Sequence, residues 1–262
     1  MAAPHVGTSV ELLRMTGLSK SFGAIRALAG VDISVLERGI YGLIGPNGSG
    51  KSTLFDCCTG LVRPDRGHVL LGRRDITGWG MDRIAREGRM LRSFQKTAVF
   101  PTLTVEENLV VAGQMHTFPS VWSTFVHGPG TQARTHELHG RMPALLDLIS
   151  LTANREMLAG NLSYGQQKLL QFAAVIVAKP RIALLDEPFA GVNPVLIQRI
   201  VEAIRWANRE LGTTFLIIEH NLDVVADLCS HIVVLHQGVK IAEGDPTMVL
   251  RDSRVVEAYL GG

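Results

Sequence analysis

Gly45-Pro46-Asn47-Gly48-Ser49-Gly50-Lys51-Ser52 decides how the rest of the chain is read. It fits the pattern G-x-x-x-x-G-K-[ST], and its neighbours give that pattern physical content. Before it, Ile40-Tyr41-Gly42-Leu43-Ile44 reads as a short buried strand. After it, Thr53-Leu54-Phe55-Asp56-Cys57-Cys58 continues as a helix. In such a strand–loop–helix unit the glycines let the backbone curl until its N–H groups face one concavity. The helix N-terminus adds the positive end of its dipole. A chain of phosphates fits this cradle: Lys51 reaches the outer phosphates, and the Ser52 hydroxyl holds a Mg²⁺ that bridges them. The plain alternative is a glycine-rich turn that binds nothing, and the flanking strand and helix weigh against it.

Farther along, Ile182-Ala183-Leu184-Leu185-Asp186-Glu187 is an apolar strand ending in two acids. In an open α/β sheet the carboxyl ends of the strands are where ligands sit. There Asp186 suits the surroundings of a Mg²⁺, and Glu187, one residue on, can face an attacking water. His220, directly after the apolar strand that ends at Glu219, is placed to act near a γ-phosphate. Adjacent acids and a strand-end histidine are usually structural when met alone; the phosphate loop changes that reading. Leu162-Ser163-Tyr164-Gly165-Gln166-Gln167 precedes another helix, so Ser163 and Gly165 form a second anion site at a helix N-terminus. One chain has no obvious use for two.

Bulk properties narrow the classes. At 262 residues there is room for one large α/β domain with a subdomain. Lys and Arg number 26 against 24 Asp and Glu, a net charge of +2, which supplies no general field for gripping nucleic acid or anionic lipid. Hydrophobic residues reach 46% and mean hydropathy is +0.19. Parallel strands apolar on both faces, or an exposed patch that docks a partner, would each account for this. No run approaches the roughly 20 apolar residues of a membrane-spanning helix. Met1 to Gly7 lacks the charged and apolar regions of a signal peptide. Cys57, Cys58 and Cys229 have neither disulfide nor metal spacing, suit a reducing cytosol, and read as small core residues.

The alternation of elements sets the fold class. Leu12 to Met15 and Val31 to Val35 are expected to be antiparallel strands, with Gly23 and Gly30 at turns. Phe22 in this layer is either an aromatic face for a nucleotide base or a half-buried strand residue. Gly60 to Gly67 carries loop breakers, His68 to Gly72 a strand, Met81 to Arg86 a short helix, and Met90 to Phe94 a strand ending at Gln95. Thr104 caps a helix, and Glu107 completes a capping box. The Pro-, Gly- and Ser-rich stretch Thr117 to Gln132 reads as an irregular linker or short helix inside a largely helical insertion. From Arg181 strands and helices alternate again, closing with paired strands His231 to Leu235 and Val239 to Ala242 around Gly238. This pattern predicts a mostly parallel sheet covered on both faces.

These motifs together resemble the ATPase subunit of ABC transporters over nearly the whole chain. Gly45 to Ser52 resembles the family's Walker A, and Ile182 to Glu187 its Walker B with the catalytic glutamate. Leu162-Ser163-Tyr164-Gly165-Gln166 resembles the signature LSGGQ, with Tyr164 in place of a glycine. Gln95 falls at the Q-loop, His220 at the switch histidine, and Phe22 at the adenine-stacking aromatic. The implied fold is α/β: a P-loop NTPase core with a mainly parallel sheet, an N-terminal antiparallel β-layer and an inserted helical subdomain. Core and β-layer would occupy residues 1–95 and 179–262, and the helical signature subdomain 96–178.

The resemblance implies an ATPase that takes ATP and Mg²⁺. Gly45, Pro46, Asn47, Gly48, Ser49, Gly50, Lys51, Ser52 and Thr53 would hold the nucleotide, with Phe22 stacking its base. Ser52, Gln95 and Asp186 would hold the metal, directly or through water, and Glu187, His220 and Gln95 would serve hydrolysis. In this family two subunits pack head to tail, so Ser163, Gly165 and Gln166 would contact the ATP of a second, related or identical, ATPase subunit. Integral-membrane permeases and, indirectly, a solute-binding protein are the other implied partners, with the chain peripheral on the cytoplasmic side of the cell membrane.

Finer features are similar to the subunits of branched-chain amino acid importers. They are Arg92-Ser93-Phe94-Gln95 with Phe100 to Leu109, Tyr164-Gly165-Gln166-Gln167, Ala190-Gly191-Val192-Asn193-Pro194, and the end Val255 to Gly261. Urea or amide importers share much of this pattern, and a soluble ABC ATPase driving macromolecular assembly is a further alternative. Leu91 stands where the family pattern has a glycine, and Asn193 where it usually has an aspartate.

Overall fold

The computed structural model describes residues 10–93, 99–114 and 140–260. Two sheets enclose the helix that follows the phosphate loop. The larger runs β10 (Val239–Gly244), β9 (His231–His236), β3 (Ile40–Ile44), β8 (Thr214–Ile218), β7 (Ile182–Asp186), β6 (Met90–Arg92), and the smaller β2 (Ile25–Leu36), β1 (Glu11–Phe22), β4 (Arg66–Leu71), β5 (Arg74–Asp75). In the larger sheet β3, β6, β7, β8 and β9 pair in parallel. Only β10 is antiparallel, along the β9 edge.

The two-residue period of a strand explains the central sheet's composition. Ile40 and Ile44 of β3 enter one core and Tyr41 and Leu43 the other; Ala183 and Leu185 of β7 face away from Ile182 and Leu184 in the same way. Both faces are buried, so the strands read as unbroken apolar runs. One core lies against the helices Tyr164–Val177 and Pro194–Leu211, with Ile176 and Ile204 among its residues. The other fills the space between the sheets. There the helix α1 (Lys51–Cys58) buries Leu54, Phe55, Cys57 and Cys58 against Leu13, Leu28 and Val69.

The antiparallel layer differs from the sequence expectation in one respect. β1 (Glu11–Phe22) and β2 (Ile25–Leu36) are longer than the two short runs, and only Gly23 lies in their turn. Gly30 sits inside β2 with φ 81, where the register with β1 shifts between the pairs Leu18↔Val31 and Ser19↔Ala29. The extra residue forms a bulge, which lets Leu28 and Val31 both reach the core although they are three apart. β4 (Arg66–Leu71) pairs with β1 and with the short β5 (Arg74–Asp75).

The segment before β6 also departs from a regular helix. A helical turn at Met81–Arg83 widens into a π-type segment over Ile84–Gly88 and stops at Arg89, whose φ is 51. β6 ends at Arg92, short of the expected strand end; Phe94 and Gln95 lie outside the described residues, as does 117–132. Leu91 pairs opposite Ala183 in ordinary parallel register. The capping box before Val105–Gln114 is present: Thr104 N–H donates to Glu107 Oε2 at 2.7 Å, and Glu107 N–H to Thr104 Oγ1 at 3.1 Å. The Asn108 side chain, unmarked in the sequence, ties that turn together, accepting from Phe100 N–H at 2.8 Å and donating to Thr104 O at 2.8 Å.

All three cysteines are buried and free. Burial pushes the Cys57 thiol up to about 11 and Cys229 to about 12, and drives Cys58 up as well. Iodoacetamide at pH 8 should therefore leave the folded protein unlabelled and modify all three after denaturation, as read by intact mass; labelling of the native protein would contradict this packing.

Candidate functional site

Parallel pairing brings the carboxyl ends of β3, β7 and β8 to one edge, with Leu43 and Asp186 both opposite Ile218. The loop leaving β3 can turn only because of its glycines. Gly45 has φ 146, and a Cβ there would lie 2.0 Å from Leu235 O; Gly50 has φ 105, and its Cβ would lie 2.5 Å from Ala27 O. These contacts press the loop against β9 and β2. Gly238 N–H donates to Ser49 O at 3.0 Å, adding a tie from the β9–β10 turn.

Lys51 opens α1 and is 5% exposed. Its ammonium donates to Gly45 O at 2.7 Å, Pro46 O at 2.8 Å and Ser49 Oγ at 3.3 Å. Three acceptors use all three donors of a lysine, so any further acceptor would have to replace a loop oxygen. Burial pulls the Lys51 ammonium below its ordinary value, opposed by the nearby Glu187 and Asp186 carboxylates.

The acidic pair divides in two environments. Asp186 is buried: its Oδ2 accepts from Arg92 Nη2 at 2.7 Å and its N–H donates to Ser93 Oγ at 3.2 Å. Its Oδ1 is buried without a hydrogen-bond partner among the described residues. Arg92 also pairs with Asp56 of α1, so one guanidinium joins the phosphate-loop helix to the end of β7. Burial opposes the charge on Arg92, yet bonds to Asp56 and Asp186 carry its pKa upward on balance. Glu187, half-buried, has φ 49, a left-handed conformation unusual for a residue with a Cβ. Its Oε1 lies 3.0 Å from His220 Nε2.

Asn47, Lys51, Ser52, Glu187, His220 and Gln237 share a cavity of about 400 Å³. Gly48, Ser49, Gly50 and Thr53 line it too, as do Ile25 and Arg26 of β2. Phe22 is 49% exposed at the end of β1, with Lys20 Nζ 5.4 Å from its ring centre, and is not among the lining residues. Ser163, Gly165 and Gln166 do not reach this cavity. Ser163 caps the helix Tyr164–Val177, accepting from Gln166 N–H at 3.4 Å, while Gln166 Oε1 accepts from Ser163 N–H at 3.0 Å. A Cβ on Gly165 would lie 2.3 Å from Leu196 Cδ1, so that glycine serves close packing on the following helix, while Tyr164 beside it stays exposed. Gln95 lies outside the described residues.

A family model described as ABC transporter matches residues 28–190. The chain belongs to this family. It is an ABC transporter ATPase, and a second model, for a branched-chain amino acid ATP-binding cassette transporter, matches residues 239–262. The high-affinity branched-chain amino acid transport ATP-binding protein BraF of Pseudomonas aeruginosa is 36% identical over 253 residues, covering 97% of this chain and 99% of its own. The protein LivG of Escherichia coli, described in the same words, gives the same 36% and the same coverage. Among solved structures, a nucleotide-free ATP-binding cassette from an ABC transporter superposes with a TM-score of 0.80 at 34% identity, covering 96% of this chain and 100% of that one. An ABC transporter cassette in its ADP conformation gives a TM-score of 0.80 at 34% identity, covering 96% of this chain and 99% of that one.

Arg92 and Glu219 are the residues of this ABC ATPase that sequence reasoning passed over as functional. No spacing marks them: Asp56 and Asp186 are far from Arg92 in the chain, and Glu219 reaches Phe189 as well as the two residues that follow it. Removing one member of a buried ion cluster strands the others. Arg92→Met should lower the unfolding free energy by about 3 kcal/mol, with partial recovery when Asp56→Asn is added, as measured by urea denaturation. Loss below about 0.5 kcal/mol would show the cluster to be energetically idle.

Proposed function

We propose that this chain is the ATP-hydrolysing motor subunit of an importer for branched-chain amino acids. The observation that carries the hydrolytic part is the single cavity in which loops from distant parts of the chain present Lys51, Ser52, Glu187 and His220. Support for the solute comes from the whole-length likeness to branched-chain amino acid transport proteins and from the C-terminal match.

In this reading the loop amides and the α1 N-terminus hold the phosphates of ATP, and Phe22 stacks the base from the rim. Lys51 exchanges loop carbonyls for β- and γ-phosphate oxygens. The donors available for a metal are oxygens: the exposed Ser52 hydroxyl, the Asp186 Oδ1 that has no partner among the described residues, and Gln95, a set that suits Mg²⁺ completed by phosphate oxygens. Bound there, Mg²⁺ would neutralise charge developing at the β–γ bridge. Glu187 accepts a proton from the attacking water as the new Pγ–O bond forms and the bond to the β-phosphate oxygen breaks, its electron pair leaving with ADP. His220 holds the Glu187 carboxylate and braces the γ-phosphate. Catalysis is mainly positioning and electrostatics.

Ser163, Gly165 and Gln166 are assigned to the ATP of a second ATPase subunit packed head to tail, the arrangement that makes use of an exposed helix N-terminus remote from the chain's own cavity. Residues 96–178 are assigned to a helical subdomain. Where it meets β6, an apolar cavity of about 210 Å³ is lined by Leu91, Val99, Phe100, Leu170, Ala174 and Ala178. This surface suits an apolar helix of a permease, which would hold the subunit at the cytoplasmic face of the membrane. Gln95, three residues after β6 in the sequence, would report the γ-phosphate to that surface. Among the described residues no helix is long and apolar enough to cross a membrane.

Two measurements test the reading. Glu187→Gln should cut phosphate release by about a hundredfold or more and trap an ATP-dependent dimer on gel filtration; unchanged turnover would remove Glu187 as general base. In the complex reconstituted with its permeases in liposomes, Gln95→Ala should keep ATP binding while losing most leucine uptake per ATP hydrolysed. Full coupling in that variant would overturn the role given to Gln95.

A further inference from the structure

Glu219 directly follows β8 and is buried, 4% exposed, just before His220. A carboxylate is costly to bury, and this one is compensated by backbone donors from two separate loops. Its Oε1 accepts from Phe189 N–H at 2.9 Å, two residues after Glu187. Its Oε2 accepts from His220 N–H at 3.0 Å and, at 3.5 Å, from Asn221 N–H. The two loops meet again at Glu187 N–H, which donates to Ile218 O at 3.0 Å, and at the Glu187–His220 side-chain contact of 3.0 Å. The Asn221 side chain then caps the next helix, accepting from Val224 N–H at 3.2 Å.

We infer that Glu219 is a positioning residue for ATP hydrolysis, whose side chain clamps the loop carrying Glu187 to the loop carrying His220. Strand pairing runs out at Asp186↔Ile218, so beyond the Glu187 N–H to Ile218 O bond no further ladder bond among the described residues joins the two turns. The carboxylate replaces the missing ladder, using one oxygen for each loop. The need is greatest where the backbone is strained, and Glu187 at φ 49 is such a place. A neutral isostere cannot do the same, because an amide has one acceptor oxygen and an NH₂ group that would face an N–H. Burial raises the Glu219 carboxyl above its ordinary range, the three backbone donors oppose the rise, and the Glu187 carboxylate adds to it. Protonation would therefore weaken the clamp as amidation does.

The inference rests on the hydrolytic reading above, and the experiment separates the two. ATPase activity of the full chain is measured for the wild type and Glu219→Gln, with binding of fluorescent mant-ATP and thermal melting as companions. Glu219→Gln should lower kcat about tenfold or more while KM and mant-ATP affinity stay within about threefold, the loss expected when one charge-assisted hydrogen bond to a catalytic loop goes. Amide hydrogen exchange should rise about tenfold in peptides spanning 187–190 and 219–221 and stay unchanged in β3 and β9. A wild type without turnover would sink the hydrolytic reading itself. A wild type that turns over beside a Glu219→Gln with unchanged kcat, or with kcat lost only through weaker nucleotide binding, would overturn the clamp. Should Glu219→Gln fail to fold, Glu219→Asp takes the same readings: it keeps the charge but is one methylene short of Phe189. Full activity with native exchange in that variant would equally reject the inference.

Discussion

The parallel register of β3, β7 and β8 is the constraint on which the rest depends. Leu43 and Asp186 both stand opposite Ile218, so the phosphate loop, the acidic pair and the histidine loop all leave the sheet at one level. That register is held by burial on both faces. A slip of one residue would exchange the two faces of a strand, sending Leu43 and Leu184 toward the wrong core. The site is thus placed by apolar packing that takes no part in chemistry.

Within that frame the charges are arranged so that few are left to solvent alone. Arg92 neutralises Asp56 and one oxygen of Asp186, leaving the other oxygen of Asp186 buried with no partner among the described residues. Lys51 is satisfied by loop oxygens. Glu219 is satisfied by backbone donors. Preorganised groups of this sort need little rearrangement when a charged ligand arrives, which is the condition under which fixed dipoles and charges are most effective.

Chain order hides how these groups cooperate. Asp56 and Arg92 are separated by 36 residues, and Arg92 and Asp186 by 94. Ser163 and Gly165, although similar in kind to the phosphate loop, cap and pack their own helix and lie away from the chain's own cavity. Local chemistry is alike at both helix ends; only the packing around them distinguishes the two.

The sequence alone determined the strand–loop–helix around Lys51, the buried strands, the Thr104 capping box and the family, because each is written in local spacing and apolar period. It also marked Glu187 and His220 as candidates, though not their 3.0 Å contact. The tertiary structure decided the bulge at Gly30, the π-type segment before β6, the close approach of Gly45 to Leu235, the Arg92 bridge and the Glu219 clamp. The approach of Gly45 to Leu235, the Arg92 bridge and the reach of Glu219 to Phe189 join atoms across long stretches of chain, where no local pattern records the distance. The phosphate loop could be read from its own residues, but the groups that brace its neighbours became visible only once the parallel register set them side by side.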